Sequence, residues 1–196
     1  MSLSETDNTI IKQLADYFIE AQKSDLPENV ALKTKHHILD TLAAMVSGTT
    51  LPPGEFAIKY GKLQGTSDQS QIIGTNFLTN AVTASLANGM LAHSDETDDS
   101  HAASGTHPGC TIIPPALAMG EKNQTNGKTF LNSIALGYDM CARFMRAFGG
   151  GTFQRMHGRG FSSHAIGGVF GAAAAAGTHI ELDEKKVRYL LSYTTQ

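Results

Sequence analysis

The chain has 196 residues, of which 41% are apolar and 17% charged, with a formal net charge of −3. That is enough for one domain with a real core. It has no basic footprint for nucleic acid and no acidic tail, and with no Trp and few aromatics it lacks stacking platforms for bases.

Cys110 and Cys141 are the only cysteines. They form no CxxC and no disulfide framework, which fits a reducing, cytoplasmic setting. The opening MSLSETDNTIIKQLADYF has no basic region followed by an apolar run, so it does not read as a secretory signal. The stretch GGVFGAAAAAG is too short and too small to span a bilayer, and no membrane partner is expected.

Ile10, Ile11, Leu14, Ala15, Phe18 and Ile19 recur at helical spacing and predict a helix over 8–23. Pro27 and Glu28 open a second over 27–47, with Val30, Ile38, Leu42, Ala43 and Met45 as its stripe and Gly48 as a C-terminal cap. A shorter helix, 53–63, follows the Pro52-Pro53 break. GTSDQSQIIGTN is irregular, with a brief extended piece at Gln71–Ile73. Thr79 or Asn80 then caps a helix over 80–93.

Beyond a polar loop, a helix is expected over 112–122, with Pro114 and Pro115 confined to its first turn. Residues 128–147 form a long helix carrying Phe130, Leu131, Ile134, Tyr138, Cys141 and Met145 on one side. Residues 149–164 read as a Gly- and Arg-rich loop, 165–177 as a small-residue helix, and Asp183 as the cap of a last helix. There is no strand of normal length and no fixed repeat, so the fold class is all-α.

Two loops hold the chemistry. AHSDETDDSHAASGTHPG, 92–109, packs four acids (Asp95, Glu96, Asp98, Asp99) and three imidazoles (His93, His101, His107) between apolar helices. It reads as a solvated acidic turn, as a metal cluster without a recognised ligand spacing, or as a functional set. His93, after an apolar helix, also suits a helix C-terminus. HGRGFSSHAIGG, 157–168, places His157, Arg159 and His164 among glycines and ahead of a helix N-terminus, which favours anions. Its plainer reading is a loop capped by Ser162 or Ser163. Asp40 and Asp139, acids inside apolar helices, read as structural partners.

Together these segments resemble the MmgE/PrpD family, the group of 2-methylcitrate dehydratase, cis-aconitate decarboxylase and an iminodisuccinate epimerase. HHILDTLAAMVSG looks like the family's second helix, and ANGMLAHSDETDD like its Asn-Gly, Ala-His, acid-x-Asp-Asp signature. THPGCTIIPPALAMGE resembles the His-Pro-Gly turn with its following helix, and GGVFGAAAAAG the small-residue helix. The likeness runs in order along nearly the whole chain.

The resemblance implies the N-terminal part of a large helical domain, here residues 1–196, without the family's lid domain. It implies a homodimer, no cofactor and no metal, and a lyase or related epimerase acting on a small polycarboxylate. It expects a fragment weakly active alone. It casts Glu96, His107 and His164 as catalytic. Ser100, Asp98, Asp99, His157, Arg159 and Ser162 become substrate-binding. Ser162 stands where family members commonly carry a histidine, with His164 two residues on. A metal-dependent hydrolase built on the same His/acid loop, and a non-catalytic helical fragment, remain as alternatives. Imidazoles suit proton transfer near neutral pH, and fixed donors suit carboxylates.

Overall fold

The computed structural model describes residues 9–148 and 152–196. The chain folds into helices Ile10–Ala21 (α1), Glu28–Gly48 (α2), Pro52–Leu63 (α3), Ala81–Ala92 (α4), Pro108–Asn123 (α5), Gly127–Ala147 (α6), Thr152–His157 (α7), Ser163–Gly177 (α8) and Glu184–Thr194 (α9). The all-α expectation holds. The only sheet among the described residues is a two-residue antiparallel pairing of Ser70–Gln71 (β1) with Leu78–Thr79 (β2). It starts one residue before the expected extended piece. The first two residues of the expected 8–23 helix are Asn8, outside the described residues, and Thr9, the N-cap residue.

Helix starts follow local chemistry. The Asn80 side chain accepts the Thr83 N–H at 2.9 Å, Asn126 accepts that of Thr129 at 2.9 Å, and Asp183 that of Lys186 at 2.8 Å. Each satisfies an orphan donor of a first turn. Gly48 differs from expectation. It is no left-handed cap but the last residue of α2, with Thr49 after it in right-handed conformation. A Cβ at Gly48 would lie 2.0 Å from the Leu91 carbonyl oxygen, so glycine is there to let α2 touch α4.

Helix α5 departs most from expectation. It begins at Pro108, four residues early, and runs through Pro114 and Pro115 instead of starting with them. The two prolines leave the carbonyls of Cys110 and Thr111 without their i+4 donors. Ile112, Ile113, Pro114 and Ala116 are all buried, and that packing outweighs the lost bonds.

Among the described residues the core has two large clusters, besides a small third one of Ala81, Ala84 and Ala118. One joins Met45, Ala57, Leu91, Ile112 and Ile113; the other joins Phe18, Leu136, Met140, Phe170 and Val187. Helices α6 and α8 cross backbone to backbone. A Cβ at Gly137 would lie 2.9 Å from Gly171 O, and one at Gly171 2.8 Å from Gly137 O. That crossing sets α8, and hence His164 in its first turn, against the N-terminal end of α5.

Asp139 acts as expected of a structural acid, accepting from Tyr17 Oη at 2.6 Å and from Arg143 Nε at 2.5 Å. Burial and that bond push the Tyr17 hydroxyl up to about 12. Asp40 is exposed instead, on a face of α2 turned from the core.

Candidate functional site

The two acids of the Asp98-Asp99 pair serve different partners. Asp99 turns toward α2 and α6. Its carboxylate accepts from His37 Nδ1 at 2.7 Å, from Tyr138 Oη at 2.9 Å and from the backbone N–H of Gly109 at 2.8 Å. Burial pushes this carboxyl up, but the bonds from His37, Gly109 and Tyr138 together hold it below the ordinary value. The same burial and the Asp99 charge push the Tyr138 hydroxyl far up. Asp99 is therefore a clamp on the HPG turn, with three donors on its carboxylate. Gly109 is required at that contact: a Cβ there would meet Thr41 Oγ1 at 2.4 Å and Asp99 Oδ1 at 2.7 Å.

The Asp98 side chain is fully buried. His93 Nδ1, at the C-terminus of α4, lies 3.0 and 3.1 Å from its two oxygens. His107 Nδ1 lies 3.7 Å from the nearer one and has no hydrogen-bond partner, although the atom is buried. The Cys110 thiol, one turn into α5, lies beside the same carboxylate and donates to His107 O at 3.3 Å. Burial first, and then Asp98, push that thiol far above its ordinary value, so it stays protonated.

His107 is the N-cap residue of α5, and its ring is set between two others. Its centroid is 5.7 Å from that of His93 and 4.8 Å from that of His164, the latter pair stacked at 27°. His164 is pushed below its ordinary value by burial, then by His107, His93 and His157. It is thus neutral at pH 7 and able to accept a proton.

The second loop meets the first through Ser163, whose Oγ donates to Gly105 O at 2.5 Å. That commits its one proton, so His157 Nε2, 3.2 Å away, is the donor in their contact.

Other expected residues stand apart. Glu96 is exposed, with left-handed backbone (φ 54°), and it is Asp98 that engages the imidazoles. Ser100 is exposed on the loop. Ser162 caps α8, its Oγ accepting the Ala165 N–H, so the plainer reading of that hydroxyl is the observed one. Arg159 lines a separate cavity of about 300 Å³ with Phe148, Arg155, Met156 and Phe161. The physical reason is α7, a helix where a loop is expected. A helical turn at 152–157, followed by the reversal at Gly160 (φ 81°), carries Arg159 away from His164. Gly149 to Gly151 of that loop lie outside the described residues.

The imidazole cluster closes one end of a groove of about 510 Å³ between α4, α5 and α8. His93, His164, Cys110 and Thr111 line this end, and Leu86, Met90 and Val169 line the far walls. Those three side chains offer a carboxylate nothing, and apart from the Ser85 hydroxyl the polar side chains of the lining are His93, Cys110, Thr111 and His164. Sequence reasoning missed His37, Tyr138 and Cys110. The adjacent His36-His37 pair on an apolar helix was the one signal available for the first.

Residues 12–196 match the MmgE/PrpD N-terminal domain. The chain belongs to the MmgE/PrpD family. Among curated relatives, it is 27% identical over 186 residues to the cis-aconitate decarboxylase-like protein oryM of Aspergillus oryzae, covering 91% of this chain and 37% of that protein. It is 28% identical over 193 residues to the human cis-aconitate decarboxylase, covering 93% and 39%. The Aspergillus terreus cis-aconitate decarboxylase is 21% identical over 178 residues, covering 88% and 35%. This MmgE/PrpD chain therefore spans well under half the length of these relatives. No helix among its described residues is long and apolar enough to cross a membrane.

Proposed function

We propose that this chain carries part of the substrate site of a lyase acting on a small polycarboxylate of the cis-aconitate or 2-methylcitrate class. The observation that carries the reading is the His107 ring, stacked on His164 with its buried Nδ1 unengaged 3.7 Å from Asp98. An orphaned buried nitrogen is costly to keep and marks a place where a ligand or proton belongs. The names of the relatives, cis-aconitate decarboxylases, support the substrate class.

Lyase chemistry on such an acid needs a proton moved at carbon and its carboxylates held. In dehydration the base takes a carbon-bound proton while an acid protonates the departing hydroxyl. In decarboxylation the C–CO2 bond breaks and the carbon left behind takes a proton. His164, neutral near pH 7, serves as acceptor in the first case. His107 serves as donor to substrate, with Asp98 positioned to orient its ring through Nδ1. His157, Nε2–H outward to Ser163, steadies the α8 end of the pair.

The reading is tested by following the histidine C–H resonances of the chain as cis-aconitate, 2-methylcitrate and citrate are added, with turnover followed by mass spectrometry. Shifts confined to His93, His107 and His164, lost in His107→Ala, are expected. Millimolar tricarboxylate that leaves all three unmoved overturns it.

A further inference from the structure

One ligand atom each from His93, Asp98 and Cys110 lie within 4.8 Å of one another. We infer that this trio is a binding site for a thiophilic divalent cation of the Zn2+ class, held by His93 Nδ1, an Asp98 carboxylate oxygen and the Cys110 thiolate. The inference rests on these positions and not on the lyase reading.

The donor set is specific in kind. Thiolate, imidazole and carboxylate together suit zinc and not magnesium or calcium, which take oxygen ligands. The distances are close to those needed. Tetrahedral zinc, with bonds of about 2.0 Å to nitrogen or oxygen and 2.3 Å to sulfur, sets its ligand atoms roughly 3.3–3.5 Å apart. His93 and Asp98 are already 3.0 Å apart. The thiol lies within 4.8 Å of both, so closing the site needs a shift of about 1.5 Å at most. Asp98 is fully buried and cannot drift away, while His93 is half-exposed and free to adjust.

A second observation points the same way. The buried, unpartnered His107 Nδ1 sits 3.7 Å from the same Asp98 oxygen, so the pocket has polar capacity that the protein alone does not fill. Cys110 also lines the groove, which gives an ion a route in from solvent.

The step balances simply. The thiol gives up its proton to solvent as the bond from Sγ to the cation forms, and His93 binds through Nδ1 in the tautomer that carries its proton on Nε2. One proton leaves for each cation bound. A cation bridging the 94–100 loop to α5 ties up Asp98 and His93, and so competes with any role of that acid beside His107.

The test titrates the untagged chain with Zn2+ by calorimetry in buffers of different ionisation enthalpy, and with Co2+ followed by absorption. Expected are one ion per chain, about one proton released, and a thiolate-to-cobalt charge-transfer band with tetrahedral d–d intensity. Cys110→Ser and His93→Ala, checked for unchanged helix content, each weaken Zn2+ binding at least about tenfold, since even outer partners of a metal cost that much. Absence of stoichiometric binding, a cobalt spectrum without the thiolate band, or affinity unchanged in both variants overturns the proposal. None of these readouts uses a tricarboxylate, so failure here is distinct from failure of the lyase reading.

Discussion

Asp99 caps α5 from ten residues upstream: its Oδ1 lies 2.8 Å from the Gly109 nitrogen, in the first turn of a helix whose own N-cap residue, His107, supplies no side-chain cap. The carboxylate satisfies an orphan N–H and places negative charge at the positive end of the helix. His37 and Tyr138 hold it there. Asp99→Asn keeps the shape but sets an NH2 either against the Gly109 N–H or against the His37 and Tyr138 donors. It should cost about 2–4 kcal/mol, from weakened charged hydrogen bonds and a stranded donor. In a chain of this size that is a melting-temperature drop of roughly 4–16 °C.

The same carboxyl predicts a pH dependence. Its folded pKa lies below the ordinary 3.8, so the folded chain binds that proton less readily than the unfolded one. Its stabilisation is therefore complete above about pH 5 and is lost as pH falls through the folded value. Urea midpoints measured from pH 6 down to pH 3 should fall more steeply for the natural chain than for Asp99→Asn. Parallel curves would show that the clamp is not charged.

Gly109→Ala tests the close approach itself. The added Cβ would meet Thr41 Oγ1 at 2.4 Å and the Asp99 carboxylate at 2.7 Å, neither at the far end of a flexible chain. Overpacking of this kind costs about 1–3 kcal/mol or more. Thr41→Ala removes one of the two obstacles, so the double variant should be more stable than the sum of the single effects predicts. A coupling on the order of 0.5 kcal/mol or above is expected in thermal or urea unfolding. Strict additivity would place the Gly109 constraint elsewhere.

His164 gives a prediction of opposite sign to an ion-paired histidine. Its folded pKa is depressed below 6.5, by burial and by neighbouring imidazoles. Above that value the ring is neutral whether folded or not, and it adds no pH dependence. Below it the unfolded chain takes up the proton first, so stability falls until the folded ring protonates as well. In an NMR titration His164 should have a midpoint under 6.5, and His107→Ala should move it upward. A midpoint at or above 6.5 in the natural chain contradicts the stacked arrangement.

What the sequence made legible was local. Apolar periodicity and the caps at Asn80 and Asp183 placed the helices, because those signals lie within a few residues of the turns they govern. The start of α5 was hidden because its cap, Asp99, is remote in sequence and the Pro114-Pro115 pair argues for a later start. Helix α7 was hidden under glycines. In the site, the imidazoles of His107 and His164 could be singled out by type, but their partners could not. Asp98 and Asp99 are adjacent and identical, and only the path of the backbone sends one to His93 and the other to His37 and Tyr138. Cys110 carries no motif in the sequence, and nothing in its spacing shows that α5 brings it to Asp98.

The last prediction separates two histidines of one loop. His101 pairs its Nδ1 with Ser104 Oγ at 2.8 Å, and its backbone bridges to Thr106 across a tight turn. Its hydrogen bonds are local, and its ring takes no part in the stack. His107 stands between His93 and His164 with a buried nitrogen unspent. His101→Ala should leave tricarboxylate binding within about twofold and lower stability by roughly 0.5–1.5 kcal/mol for one lost hydrogen bond. His107→Ala should weaken tricarboxylate binding about tenfold or more, at a stability cost of about 0.5–1.5 kcal/mol that comes from the lost ring stack and not from a hydrogen bond. If turnover is measurable, the same ranking should hold for kcat/KM, with His107→Ala lower by about 100-fold, the low end for a proton-transfer group. Calorimetric titration of both variants with cis-aconitate, beside their melting curves, decides the matter. Equal losses of affinity from the two would show that the loop acts as a whole and that His107 has no special part.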